Sequence, residues 1–378
     1  MHRITIVGSG FGGLTAVREL RRRGTTAEIT LVSPKAEFVF LPSLIWIPSG
    51  VRTGRDITLD LAGFFARHGV RHVAASVTGV RDGGRILETT AGEFENDGLI
   101  IASGGRFIKK LPGIEHALTL CEGVAAAEKI KARIDAMESG SIAFGFAGNP
   151  KDAQAVRGGP MFELMFGVDT YLRRQGKRDR ITLKFFSPAP RPGIRLGEKT
   201  YNGILRRIKK QGIEIASLGV KLARFEADKV VTEDGEFGAD LILFMPGLTG
   251  PAWIENTGLP RSEGGMIEAD EFARVEGFPR TYVVGDSGHF PDSPDWAPKQ
   301  AHMADLQAKA AAANLLLELE GLQPEERFRW ELICIIDTVD KGIMVYRDAR
   351  RLILLPASRM FHWAKRFFER HYLKEFRS

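Results

Sequence analysis

Gly8, Gly10 and Gly13 stand in the order G-x-G-x-x-G, with Gly12 beside the last of them, directly behind the apolar run Arg3-Ile4-Thr5-Ile6-Val7. A helical stretch, Leu14 to Arg23, follows. Such glycines alone say little. Between a strand and a helix they mark a dinucleotide-binding loop. Gly8 would permit the tight turn, Gly10 would let backbone approach a pyrophosphate, and Gly13 would let helix pack on strand. The helix N-terminus behind them offers free N–H groups and a positive dipole end to phosphates.

The other chemistry-bearing residues are two cysteines, Cys121 and Cys334. A thiolate is the nucleophilic form of cysteine, so a working thiol needs electropositive surroundings, which Arg157 and Lys299 could supply. The plain alternative is that both are inert buried residues. Two cysteines without C-x-x-C exclude a disulfide scaffold, a Cys-rich zinc or iron–sulfur site and an adjacent redox pair. No metal site is expected.

Two further segments bear on the glycine loop. Thr281-Tyr282-Val283-Val284-Gly285-Asp286 is an apolar strand ending in Gly-Asp. It resembles the strand with which two-dinucleotide flavoproteins bring an aspartate to the flavin ribityl chain. Leu99-Ile100-Ile101-Ala102-Ser103-Gly104-Gly105 resembles their A-T-G segment. Three such signals in order point to FAD rather than NAD at the first site. Strand two, Ala27 to Val32, ends in Ser33 where an acidic residue usually holds the ribose hydroxyls. One hydroxyl can make a single such bond, so ribose recognition is expected to be weaker or shared.

The elements that must position these residues read as α/β: two doubly wound Rossmann-like dinucleotide-binding domains with a C-terminal amphipathic, membrane-facing unit. The expected division is 1–112 for the first part of the FAD domain, 113–268 for a second Rossmann-like domain, 269–321 for the return to the FAD domain, and 322–378 for a C-terminal membrane- and quinone-facing region. Helices are expected over Glu122 to Met137, Pro160 to Arg174 and Gln300 to Leu319, and strands at Ile181 to Phe186, Ile213 to Ile215 and Leu241 to Met245. In the second domain the loop after the first strand reads Phe144-Gly145-Phe146-Ala147-Gly148-Asn149-Pro150. Pro150 removes an N–H where pyrophosphate donors are wanted. Gly158-Gly159-Pro160 does not directly follow a strand, so a nicotinamide site is disfavoured.

A chain of 378 residues holds two or three domains. Its apolar share of 44% and charged share of 26% are those of a globular protein. The first residues already form a core strand, so no secretory leader is expected. No apolar run approaches the roughly 20 residues needed to span a bilayer. The net charge of +6 is unevenly placed: Lys341 to Ser378 holds ten Lys/Arg against three Asp/Glu, and the rest is near neutral. A basic tail on a neutral body implies an anionic partner. No nucleic-acid motif accompanies it, so a membrane surface is expected and nucleic acid is not.

Over nearly its whole length the chain resembles the sulfide:quinone oxidoreductase branch of the two-dinucleotide flavoproteins. Phe38-Val39-Phe40-Leu41-Pro42-Ser43 looks like that family's F-x-F-x-P-S segment, and Thr119-Leu120-Cys121-Glu122 like its first cysteine. Gly159-Pro160-Met161-Phe162-Glu163 with Phe166-Gly167-Val168-Asp169, and Ala297-Pro298-Lys299-Gln300, match two further runs. Ile333-Cys334-Ile335-Ile336-Asp337 matches its last cysteine, and Phe361-His362-Trp363-Ala364-Lys365 its membrane-facing tail. The family usually has a middle cysteine three residues before Pro160, where this chain has Arg157. In the resembling enzymes the middle and last cysteines form the pair that accepts sulfide, and this chain keeps only one of them.

The resemblance implies FAD held by Gly8, Gly10, Gly12, Gly13, Ser33, Pro42, Ser103, Gly104, Gly285, Asp286 and Lys299. It implies electron transfer from sulfide or a related sulfur donor to a membrane quinone. Cys334 is expected to carry sulfur, while Cys121 could pair with it or bond to the flavin. Lys299 is expected to begin a helix facing the flavin, where lysine and dipole stabilise a reduced, anionic ring. His2, His68 and His72 are read as lying in or near surface turns. His302 could relay protons or pack a helix. From Ser358 on, Phe361, Ala364, Phe368 and Leu373 can share one helical face flanked by basic residues, as in an interfacial helix of a peripheral membrane protein without a spanning segment. A type-II NADH:quinone oxidoreductase and a non-catalytic flavin-binding protein are the alternatives, and the oligomeric state stays open.

Overall fold

The runs Arg3–Val7, Glu28–Ser33 and Gly98–Ile101 are apolar without alternation, the pattern of parallel strands covered on both faces. The computed structural model describes residues 1–377, and in it these runs are the inner strands of a five-stranded sheet. Thr281–Val283 pairs with Gly98–Ile101 at one edge and Val70–Ala74 with Glu28–Ser33 at the other, all parallel. The strand Thr281–Val283 therefore joins the first sheet from about 180 residues downstream of its partner.

Helix Phe11–Arg22 begins within the glycine loop, three residues before the expected start at Leu14. Against it lies helix Ala301–Leu319, whose buried residues include Ala304, Ala308, Ala311 and Ala312. Small side chains let the two backbones approach. Thr15 Oγ1 donates to Asp305 across this contact at 2.6 Å.

The second sheet has the order Ala117–Leu118, Leu241–Met245, Gly140–Phe146, Ile181–Ser187, Glu214–Leu218, again all parallel. Each sheet has a three-stranded antiparallel layer inserted in sequence before one of its later strands: Val77–Arg81 with Ile86–Thr89 and Gly92–Glu95 before Gly98–Ile101, and Leu222–Phe225 with Lys229–Thr232 and Gly235–Gly238 before Leu241–Met245. The architecture is thus the expected doubly wound α/β pair. Helices Val124–Ala136, Gly159–Arg174 and Glu198–Lys210 flank the second sheet's strands in sequence.

A three-stranded antiparallel sheet, Leu332–Asp337, Gly342–Arg347 and Leu352–Ser358, leads into the last helix, Arg359–Phe376. Ser358 caps that helix, accepting from Met360 N at 3.1 Å. Among the described residues no helix is long and apolar enough to cross a membrane.

Candidate functional site

Three segments far apart in sequence meet at the C-terminal ends of the first sheet's strands. A Cβ on Gly8, whose φ is +100°, would lie 2.4 Å from Ala102 O. One on Gly12 would lie 2.7 Å from Val284 Cγ2, and one on Gly13 1.9 Å from Gly8 O. These glycines are required by close packing of the loop on the 102–105 and 284–286 turns. Gly10 differs: nothing lies within 4 Å of its missing side chain. Its backbone opens onto free space at the start of helix Phe11–Arg22, where an anion would meet N–H groups.

Ser33 ends its strand as expected, but its hydroxyl is already engaged. It donates to Lys35 O at 2.8 Å and lies 3.0 Å from His72 Nε2. His72 is not in a surface turn: it belongs to strand Val70–Ala74 beside Ser33. Pro42 sits in the turn Leu41–Trp46, and the neighbouring Ser43 Oγ is buried without a partner. Ser103 Oγ accepts from Trp253 Nε1 at 3.3 Å, and Gly104 O accepts from Ser287 Oγ at 3.0 Å.

Lys299 does not begin the helix. Gln300 is the N-cap of Ala301–Leu319, and Lys299 lies just before it with its ammonium on Gly288 O. Burial holds that ammonium below the usual lysine range, against the pull of Asp286 and Asp152. Gln300 Oε1 is buried and unpartnered. Gly285, Asp286, Lys299, Gln300 and Gln154 line one small recess. His302 is held by Glu331 at 2.8 Å.

The second domain departs from a nucleotide loop more strongly than the sequence suggested. Strand Gly140–Phe146 does not turn into its helix. A hairpin, Gly148–Asn149 against Asp152–Val156, stands between it and helix Gly159–Arg174. The hairpin is docked: Asn149 Nδ2 donates to Leu248 O and Gly264 O, and Asp152 pairs with His289 Nδ1 at 2.9 Å. The rings of Phe186 and Phe146 occupy the places where side chains at Gly145 and Gly158 would stand.

Arg157 ends this hairpin. Its guanidinium is ion-paired with Asp286 and lies beside the Cys121 thiol. Burial pushes Cys121 up from the usual thiol range, with Arg157 pulling it down and Asp286 and Glu163 adding to the rise. Cys334 is on strand Leu332–Asp337. Burial pushes its thiol up to about 12, with Glu163 adding to the rise and Lys365 opposing it. The electropositive setting expected for Cys334 from Arg157 and Lys299 is therefore not found. Arg157 faces Cys121, Lys299 faces a carbonyl, and Lys365 is ion-paired with Glu163. Sequence reasoning missed Lys365 as an acid–base partner, although it lies in the quoted tail motif. Both cysteines are free.

Beneath the last helix lies a buried polar hub. Asp337 accepts from Trp46 Nε1 at 3.2 Å and from Val339 N at 2.7 Å, and pairs with His362 Nδ1 at 2.8 Å. Glu369 is paired with Arg52 at 2.6 Å. The helix face differs from the expected one. Phe361 and Leu373 are 8% and 2% exposed and pack inward, whereas Trp363 and Phe367 are 61% and 71% exposed. Met360 and Phe368 join them outside. Of eleven large apolar side chains standing most open to solvent among the described residues, eight lie between Ile333 and Phe368. That concentration marks a contact surface.

A family model for pyridine nucleotide-disulphide oxidoreductases matches residues 2–308. The chain belongs to the pyridine nucleotide-disulphide oxidoreductase family. It is similar to the sulfide-quinone reductase of Aquifex aeolicus (strain VF5), 23% identical over 403 residues, covering 99% of this chain and 91% of that one. It is also similar to the type II NADH:quinone oxidoreductase of Staphylococcus aureus (strain NCTC 8325 / PS 47), 24% identical over 348 residues, covering 86% and 84%. Its fold is that of the solved sulfide:quinone oxidoreductase from Aquifex aeolicus, with a TM-score of 0.91 at 21% identity over 100% of this chain and 92% of that one. NDH2 from Plasmodium falciparum in complex with NADH gives 0.76 at 13% identity over 100% and 95%. Membership makes this an oxidoreductase of flavoprotein type. The cleft fits such a group: Gly10 opens onto space, and Ser43 Oγ and Gln300 Oε1 are buried polar atoms awaiting partners.

Proposed function

We propose that this protein binds FAD and transfers electrons from sulfide, or a related sulfur donor, to a membrane quinone, through a cysteine next to the flavin. FAD would be held by the loop of Gly8, Gly10, Gly12 and Gly13, by Ser33, Pro42, Ser103 and Gly104, and by Gly285, Asp286 and Lys299. When bound it supplies a two-electron acceptor for the donor and a two-electron donor for the quinone. The chain's own residues do the rest. The loop at Gly10 admits phosphate to the helix start. Lys299 brings a positive charge to the recess, and Asp286 offers an acceptor for hydroxyls. The outer face of helix Arg359–Phe376, with Trp363 and Phe367, would seat the protein on the bilayer where quinone resides. Arg366 lies over the Trp363 ring at 5.3 Å, which suits a basic, aromatic surface facing anionic lipid.

The docked hairpin Gly148–Val156 carries the choice of donor. A nicotinamide dinucleotide needs a short glycine turn whose N–H groups lead from strand to helix, and here that space is occupied by protein. The likeness to a sulfide-quinone reductase along 99% of the chain supports the same reading. The type-II NADH:quinone oxidoreductase reading is favoured by the S. aureus relative and by the second doubly wound sheet. Anaerobic titration of the purified flavoprotein separates the two. Sulfide should bleach the flavin's visible absorbance and a quinone analogue should restore it, with NADH leaving it unchanged. Rapid bleaching by NADH and none by sulfide would overturn the proposal. Bleaching by neither, with flavin bound, would favour a binding protein without turnover.

A further inference from the structure

Each cysteine has a cation–carboxylate pair beside it, and the two pairs are not equivalent. Beside Cys334, Lys365 is committed to Glu163 and also donates to Ile335 O at 3.2 Å. Glu163 is fixed in turn, accepting from Asp337 N at 2.8 Å. Both side chains are buried, at 15% and 8% exposed, and their remaining hydrogen bonds are to backbone groups. Lys365 therefore reaches Cys334 already neutralised, and the thiol sits among apolar side chains that include Trp296, Leu332 and Val345. Beside Cys121, Arg157 is ion-paired with Asp286 and is the cation that acts on the thiol. Asp286 is in the Gly285–Ser287 turn, at the wall of the recess with Lys299 and Gln300. It can exchange partners there, as Glu163 cannot.

We propose that Cys121, not Cys334, is the thiol that ionises at this site, and that Arg157 and Asp286 jointly set its state. With Asp286 on Arg157 the guanidinium charge is spent on the carboxylate and Cys121 stays protonated. When Asp286 turns to hydroxyls in the cleft, Arg157 is left to Cys121 and stabilises its thiolate. Arg157, standing where the resembling enzymes carry a cysteine, thus acts as a positioning residue for the remaining thiol. The groups facing Cys121 are Arg157, Asp286 and Glu163; those facing Cys334 are Glu163 and Lys365. The assignment rests on the proposed function only in placing a flavin's hydroxyl chain in that cleft.

Iodoacetamide reports the thiolate: an S–C bond forms and iodide leaves, at a rate that follows ionisation. The purified flavoprotein is alkylated across a pH series in Cys334→Ser and Cys121→Ser backgrounds, each displaying one thiol. Cys121 should react with a pH midpoint at least about one unit below that of Cys334, the scale of a neighbouring opposite charge. In the Cys334→Ser background, Arg157→Gln should raise the midpoint by about one unit or more, Arg157→Lys should restore most of the difference, and Asp286→Asn should lower it. Asp286→Asn keeps the test decisive should Arg157→Gln fold poorly. Equal midpoints for the two thiols, a Cys121 that resists alkylation at every pH, or an Asp286→Asn profile like the parent's would overturn the assignment. The readout needs neither sulfide nor quinone. Sulfide failing to bleach the flavin while these profiles hold would sink the functional reading and leave the thiol assignment standing.

Discussion

Arg157 is ion-paired with Asp286, 129 residues further along the chain, and both side chains are largely shielded from water. The contact ties the hairpin of the second sheet's domain to the turn that closes the first sheet's cleft. An arginine here holds a structural joint and a charge beside Cys121 at once. A cysteine, too short and uncharged, could do neither.

Gly10→Leu should remove most of the bound flavin while leaving the fold intact, because no protein atom lies within 4 Å of the added Cβ. Gly13→Ala should instead destabilise by about 1–3 kcal/mol or more, since its Cβ would meet Gly8 O at 1.9 Å. The flavin-to-protein absorbance ratio and the thermal midpoint, measured on both variants, check this contrast. Full flavin content in Gly10→Leu would disprove the site.

Trp363→Ser with Phe367→Ser should weaken binding to anionic vesicles at least about tenfold, since full burial of each large apolar side chain contributes about 1.5–3 kcal/mol. Added salt should weaken it further, through the basic residues of the tail. Co-sedimentation with vesicles measures both effects. Point substitutions are the sound test, because Phe361, Tyr372, Leu373 and Phe376 of the same helix are core residues and truncation would expose them.

Asp305 should make the protein less stable as pH rises. Burial lifts its carboxyl to about 6 from 3.8, with Thr15 and Tyr372 hydrogen bonds opposing the rise. A group whose folded pKa is raised contributes its stability below the unfolded pKa and loses it on passing through the folded one. The decline should fall between pH 3.8 and about 6 and amount to about 2–3 kcal/mol. Asp305→Asn should flatten that part of the curve. An unaltered slope in chemical denaturation across this window would count against the assignment.

Asp337→Ala should be severely destabilising, by about 3–5 kcal/mol, because it strips a buried ionic hub of its acceptor. Trp46 Nε1, Val339 N and His362 Nδ1 would lose their common partner at a stroke. Asp337→Asn, which can still accept one bond, should lose less. Thermal melts of the two variants rank them.

The order of elements was readable along the chain. Unbroken Val/Ile runs between glycine turns mark parallel strands. The glycine loop at Gly8 to Gly13 and the strand ends at Ala102 to Gly105 and Gly285-Asp286 are local patterns, each carried by a few adjacent residues. Helix Pro160 to Arg174 appears within one residue, as Gly159–Arg174, because its apolar spacing and N-terminal proline are local signals. Pro150 argues against a phosphate loop from the sequence alone, since a missing N–H is a property of the residue itself.

What the sequence could not decide depends on atoms brought together by the tertiary fold. The last helix is apolar around more than half its circumference, so its composition suits either a membrane or a core. The helix meets the body through His362 on Asp337 and Glu369 on Arg52, with Phe361 and Leu373 buried and Trp363 and Phe367 outside. The charges near the thiols were undecidable for the same reason. Arg157, Lys299 and Lys365 are equally cationic in the chain, but only folding gives each a partner: Asp286 and Cys121, a carbonyl, and Glu163. Residue type and spacing thus determined the doubly wound fold and the glycine turn between its first strand and helix, because backbone conformation follows from neighbours in sequence. Which charged pair stands beside each cysteine was decided by the tertiary structure alone, because ionisation follows from neighbours in space.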